Sequence, residues 1–202
     1  MPDKEESEKK DADRIKGLEG LSKEVSRHML AKGIEDATGP QRETIEPVLA
    51  GKDVLLIAPT GFGKTEAAFG PLLQKLKEKD GPGIRLLYIA PLRALNRDML
   101  QRMEKWCKDL DLTIGVRHSD TKTSERNRQA RRPPDVLVTT PETLQIMFTG
   151  SRLRKGLRNI RHVIVDEIHE LHGEERGAQL DFALSRLDTL TGREVQRIGL
   201  SA

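Results

Sequence analysis

The segment Ala58-Pro59-Thr60-Gly61-Phe62-Gly63-Lys64-Thr65 can cradle a chain of phosphates. Its glycines let the backbone curl until successive N–H groups point at one anion. A helix starting at Lys64 would turn its positive end toward the same place. Lys64 can reach the outer phosphates as a cation, and Thr65 can offer its hydroxyl to Mg²⁺. The general pattern has glycine where this chain has Ala58, but Gly61 and Gly63 stand where the loop curls most tightly. About a hundred residues later, the apolar run Val163-Ile164-Val165 ends in Asp166-Glu167. In enzymes with a phosphate loop, an acid at such a strand tip holds the Mg²⁺ that bridges the phosphates, and a neighbouring acid can polarise the attacking water. His169 and His172 lie three residues apart, not the four of a zinc-protease helix, which argues against a zinc site.

These groups need a frame, and the hydrophobic pattern supplies one. Leu18, Leu21, Val25, Met29 and Leu30 recur at helical spacing, and Gly33 is placed to end that helix. A short helix is expected over Gln41 to Ala50. Short unbroken apolar runs then alternate with helical stretches. Strands are expected at Val54–Ile57, covered on both faces, and at Leu86–Ile89, Thr113–Val116, Val136–Val138, Val163–Val165 and Val195–Leu200. Helices are expected for about four turns from Lys64, from Ala94 to Leu110, and from Gly177 to Leu190. Another opens with Thr140 as N-cap and Pro141 at its first position. This alternation predicts an α/β fold with a mostly parallel sheet and helices on both faces.

Composition narrows the class. Apolar residues make up 36% and charged residues 33% of the chain, with a net charge of +3. That suits a globular protein with a well solvated surface. No apolar run is long enough to cross a bilayer, and the charged start of the chain is unlike a signal peptide, so a cytoplasmic location is expected. Residues 1 to 16 are nearly all polar and are read as a flexible tail, leaving 17–202 as one domain. Cys107 is the only cysteine, which rules out an intrachain disulfide and a cysteine-based zinc site. Arg126, Arg128, Arg131 and Arg132 form one basic cluster, and Arg152, Arg154, Lys155, Arg158 and Arg161 another. Either could be a solvated face or a phosphate-binding surface.

Together the segments resemble superfamily 2 helicases. Ala58 to Thr65 looks like their motif I, and Asp166-Glu167-Ile168-His169 like motif II in its DExH form. Ala90-Pro91-Leu92-Arg93-Ala94-Leu95 resembles motif Ia, Thr139-Thr140-Pro141-Glu142 motif Ib, and Ser201-Ala202 the first two residues of motif III. Leu56 to Gly61, Pro91 to Asp98 and Ile198 to Ala202 are worded most like the Lhr-type and Ski-like branch. The resemblance implies a RecA-like ATP-binding domain, the first of the two that such motors carry, with the second absent from these residues. It implies ATP and Mg²⁺ as cofactors. The nucleotide-binding set would be Gln41, Thr60, Gly61, Phe62, Gly63, Lys64, Thr65 and Glu66, with Thr65 and Asp166 on the metal and Lys64, Asp166 and Glu167 in catalysis. Gln41 stands where these proteins carry an adenine-reading glutamine, though a glutamine near a helix start has ordinary uses too. Pro91, Arg93, Thr140, Pro141 and Glu142 would line the nucleic-acid track, by phosphate pairing at Arg93 and backbone N–H groups after Thr140. His169 and Ser201 would couple the two sites. The implied partners are single-stranded or partly duplex nucleic acid, DNA favoured over RNA, and the second RecA-like domain.

Two other classes fit parts of the pattern. A small-molecule kinase would share the phosphate loop but would make motifs Ia and Ib coincidental. A nucleic-acid-binding module without turnover would have no need of both Lys64 and Glu167.

Overall fold

A computed structural model describes residues 18–30, 36–171 and 175–202 of the chain. Its frame is one sheet of six strands: β1 (Val54–Ile57), β2 (Leu86–Ile89), β3 (Ile114–Arg117), β4 (Val136–Thr139), β5 (His162–Val165) and β6 (Gln196–Ser201). Every pairing is parallel, in the order β1-β6-β5-β2-β4-β3. Eight α-helices are seen among the described residues: α1 (Lys23–Leu30), α2 (Gly39–Leu49), α3 (Lys64–Glu78), α4 (Arg97–Asp109), α5 (Thr123–Arg131), α6 (Pro141–Met147), α7 (Ser151–Leu157) and α8 (Glu175–Thr191).

Alternation along the strands builds two cores. On β2, Leu86 and Tyr88 face Leu72, Phe69 and Trp106 of α3 and α4, while Leu87 and Ile89 face Leu144 of α6 and the α8 residues Leu180 and Leu187. Both faces of the central strands are therefore buried, which is why they read as unbroken apolar runs. Cys107 belongs to the first core beside Trp106, and burial pushes its thiol up to about 12.

Several expectations need correction. The covered strand predicted at Val54–Ile57 is the edge of the sheet: Leu56 is buried, but Leu55 and Ile57 are 59% and 68% exposed. The first helix starts at Lys23, with Leu18 and Leu21 buried in the turn before it, and the expected terminator Gly33 lies outside the described residues, as do the tail and His172. Leu92–Ala94 forms a 3₁₀ turn, and α4 begins only at Arg97, capped by Asn96, whose side chain accepts from the Met99 N–H. The two basic clusters are largely helical, on α5 and α7, where no helix was expected.

The registers fix where chemistry can occur. Ile57 pairs with Ser201, Val165 with Gly199, and Ile89 with both Val165 and Thr139. The phosphate loop, Asp166, Pro91, Thr140 and Ser201 consequently all emerge at the carboxyl edge, where open parallel sheets form their binding crevices.

A candidate cleft and an ion-paired face on one sheet edge

The loop after β1 has the curl its glycines predict. Gly61 and Gly63 have φ of 90° and 73°, in the left-handed region that favours glycine. Gly63 is also pinned by space, because a Cβ there would lie 2.3 Å from Gln41 Nε2. Lys64 begins α3, and its Nζ donates to the Ala58 carbonyl at 2.5 Å. Thr65 and Glu66 occupy the first turn, where the backbone N–H groups of a helix point outward unpaired.

Helix α2 is tied to that loop. Thr38 caps it, accepting from the Gln41 N–H at 3.3 Å, while the Thr38 N–H donates to Gln41 Oε1 at 3.0 Å. This reciprocal pair is a capping box. The Thr38 hydroxyl also donates to the Phe62 carbonyl at 3.1 Å. Gln41 therefore has the ordinary capping role, and its carboxamide nitrogen lies against the phosphate loop. Phe62 itself is half exposed.

At the tip of β5, Asp166 is 8% exposed and held on both oxygens. Oδ1 accepts from the Glu167 N–H at 2.9 Å, and Oδ2 from the Tyr88 hydroxyl at 2.5 Å. Burial, and then the charge of Asp166, push the Tyr88 phenol well above its usual range, so it remains a donor. Glu167 sits at φ 52°, left-handed and unusual for a residue with a long side chain. His169 stands between two partners, with Nε2 3.3 Å from Glu167 Oε2 and Nδ1 3.2 Å from Ser201 Oγ.

These groups enclose one cleft of about 380 Å³, lined by Thr38, Gln41, Thr60, Gly61, Gly63, Lys64, Thr65, Glu66, Arg102, Asp166 and Glu167. A cation, backbone N–H groups and a helix start face two carboxylates across it. That arrangement can hold a polyphosphate together with a hard cation. A family profile described as DEAD/DEAH box helicase matches residues 38–202. The chain belongs to the DEAD/DEAH box helicase family. It is 37% identical over 199 residues to the Lhr helicase/uracil glycosylase of Escherichia coli K12, covering 88% of this chain and 13% of that protein. It is 38% identical over 184 residues to the ATP-dependent helicase Lhr-Core of Methanothermobacter thermautotrophicus, covering 83% of this chain and 21% of that one. The structure of Mycobacterium smegmatis helicase Lhr bound to ssDNA and AMP-PNP superposes with a TM-score of 0.83 at 36% identity, over 92% of this chain and 25% of that one. The DEAD-box helicase Mss116 shares the fold at 21% identity and a TM-score of 0.78. The chain thus spans about an eighth to a quarter of the length of these Lhr relatives.

The other expected residues of this helicase domain lie beyond the cleft, at the tips of β2 and β4. Arg93 is exposed and pairs with Glu170, Nη2 to Oε1 at 2.6 Å. Glu142, in the first turn of α6, pairs with Arg176 at 2.7 Å. Pro91, Arg93, Glu170 and Arg176 line a shared depression. Thr140 caps α6 as expected, accepting from the Thr143 N–H, with Pro141 buried behind it. The arrangement separates the residues expected at the nucleotide from those expected along the track but keeps both on one edge, with His169 and Ser201 on the cleft side.

Three contributors were missed from sequence. Thr38 joins the phosphate loop to α2, and the capping-box spacing Thr38 to Gln41 could have revealed it. Arg102 of α4 reaches the cleft 3.6 Å from Glu66, with no local signal to mark it. Tyr88 reads as one more apolar strand residue. The basic clusters also divide. Arg126 turns inward, donating to the carbonyls of His118 and Ser119, and Arg128 pairs with Glu125. Arg161 precedes β5, at the opposite end of that strand from Asp166.

Proposed function

We propose that this domain binds ATP with Mg²⁺ in the cleft and, joined to a second RecA-like domain, drives movement along single-stranded or partly duplex nucleic acid. The observation that carries this reading is the convergence of Lys64, Thr65, Asp166 and Glu167 on one cleft whose far side is tied through His169 to Ser201. Thr65 and Asp166 offer a hydroxyl and a carboxylate, an oxygen-only donor set that fits Mg²⁺ and not a softer metal. When bound, the ion supplies charge neutralisation across the outer phosphates. Lys64 then holds the outer phosphates, the curled loop and the start of α3 donate N–H groups to the inner ones, and Glu167 takes a proton from the attacking water. Gln41 reads the adenine edge with the amide hydrogens that its capping bond leaves available.

Arg93 and the N–H groups at the start of α6 contact the phosphate backbone. DNA is favoured over RNA, because the similar Lhr structure was solved with single-stranded DNA and an ATP analogue. No helix among the described residues is long and apolar enough to cross a membrane. A motor that consumes ATP on nucleic acid works where both are found, and we assign it to the cytoplasm.

The test is titration of a fluorescent ATP analogue into the wild-type chain and Lys64→Ala, with and without Mg²⁺. Equal affinity in the two proteins overturns the assignment. Hydrolysis by a longer protein carrying the second domain, with and without single-stranded DNA, separates a motor from a kinase, whose turnover would ignore the DNA.

A further inference from the structure

Tyr88 is fully buried in the middle of β2, on the face that packs against α3. A tyrosine hydroxyl removed from water needs hydrogen-bonding partners. This one meets the carboxylate that the cleft offers to a metal ion. It donates to Asp166 Oδ2 at 2.5 Å. A phenol has one proton to give, and its oxygen can accept. Here that proton is committed to the carboxylate. The Glu167 N–H holds the other oxygen of Asp166 at 2.9 Å, so the carboxylate cannot rotate freely.

We infer that Tyr88 is a positioning residue for the Mg²⁺ site, aligning the Asp166 carboxylate through a single buried hydroxyl. The inference rests on the reading of the cleft as an ATP·Mg²⁺ site. Tyr88 does not face the nucleotide. It acts through Asp166, as outer-shell partners do at other metal sites, where their loss costs about 10- to 100-fold in metal affinity. Phenylalanine fills the same space and keeps the edge-to-face contact with Phe69, whose ring centre lies 6.3 Å away. Tyr88→Phe therefore removes the alignment and little else.

The experiment uses the 202-residue chain and Tyr88→Phe, with melting curves to check packing. Binding of a fluorescent ATP analogue is followed as Mg²⁺ is raised, and again in EDTA. Bound Mn²⁺ is counted by electron paramagnetic resonance in the presence of nucleotide. The expected result is a Mg²⁺ midpoint about 10- to 100-fold higher in the variant, with EDTA affinity unchanged within about twofold and weaker Mn²⁺ binding. In an Asp166→Asn background the same substitution should have a much smaller effect on the midpoint, because the aligned carboxylate is already gone. An unchanged midpoint overturns the inference. So does a parallel loss of Mg²⁺-dependent and Mg²⁺-free binding, which would mark Tyr88 as packing only. If the wild-type chain shows no Mg²⁺-dependent nucleotide binding, the reading of the cleft falls and takes the inference with it.

Discussion

At the tips of β1 and β5 the polar groups are buried or half-buried and each has a fixed partner: Asp166 with Tyr88 and the Glu167 N–H, Gln41 with Thr38, Lys64 with the Ala58 carbonyl. At the tips of β2 and β4, Arg93 and Glu142 are exposed and pair with half-buried partners from the segments after β5, Arg93 with Glu170 and Glu142 with Arg176. The two regions share a sheet edge but suit different tasks. Phosphoryl chemistry needs donors and acceptors already aimed where charge develops, with little left to reorganise. A backbone track needs charges that can exchange partners cheaply, and an exposed ion pair contributes only about 0–1 kcal/mol.

The largest test adds the proposed second RecA-like domain on the open side of the cleft. Joining the second RecA-like domain should raise nucleic-acid-stimulated hydrolysis by about 10³- to 10⁵-fold, the scale of an arginine finger. Glu167→Gln in that longer protein should abolish the gain while ATP binding persists. Steady-state turnover with single-stranded DNA reads both. Rapid stimulated turnover by the 202-residue chain alone would show that one wall suffices.

The buried side of the comparison extends to the other end of β5. Burial lowers the pKa of His162 to about 4, against a usual 6.5. The folded state therefore keeps this imidazole neutral where the unfolded chain protonates it. Its stabilising effect is complete above about pH 6.5 and is lost as the pH falls toward 4. The loss should be about 3 kcal/mol, at about 1.4 kcal/mol per pKa unit. Urea midpoints across this range should fall steeply in the wild type and less in His162→Gln. Equal slopes would mean that other groups carry the acid sensitivity.

Lys64→Ala should weaken ATP binding by about 10- to 100-fold, the scale of a charged hydrogen bond. Gln41→Ala should do two smaller things at once. It should reduce the preference for ATP over GTP, and it should cost about 1 kcal/mol of stability by opening the capping box. Competition assays and melting curves separate the two effects. A stability loss with no change in base preference would leave Gln41 as a cap alone.

The smallest effect probes the exposed face. Glu170→Gln frees Arg93 from its ion pair and should strengthen single-strand binding a few-fold, with stability changed by under about 0.5 kcal/mol. Arg93→Ala should lower the slope of affinity against salt by about one released counterion. Salt insensitivity in both variants would place the track elsewhere.

Sequence carried the parts of this molecule that local patterning encodes. Strands buried on both faces read directly as Leu86–Ile89 and Val163–Val165, and the turn at Thr140-Pro141 read as a helix start. Strand order left no local trace, so the edge position of β1 was missed, and with it the exposure of Leu55 and Ile57. Helices α5 and α7 were missed because arginines dilute the apolar spacing on which a helix assignment depends. At the cleft, the loop and the acid pair stood out because their residue types are unusual at strand tips. Tyr88 and Arg102 did not, because a tyrosine in a strand and an arginine on a helix are commonplace until tertiary packing brings them to Asp166 and Glu66.

The left-handed backbone at Glu167 bears on how this position would respond to selection. A long side chain held at φ 52° costs about 1–3 kcal/mol that glycine would largely avoid and asparagine would reduce. A library randomised at 167 and sorted only for heat resistance should enrich those two residues. The same library sorted for turnover in the longer protein should return glutamate. Divergent winners from the two sorts would measure, at one codon, how much robustness the molecule gives up to keep a carboxylate in the cleft.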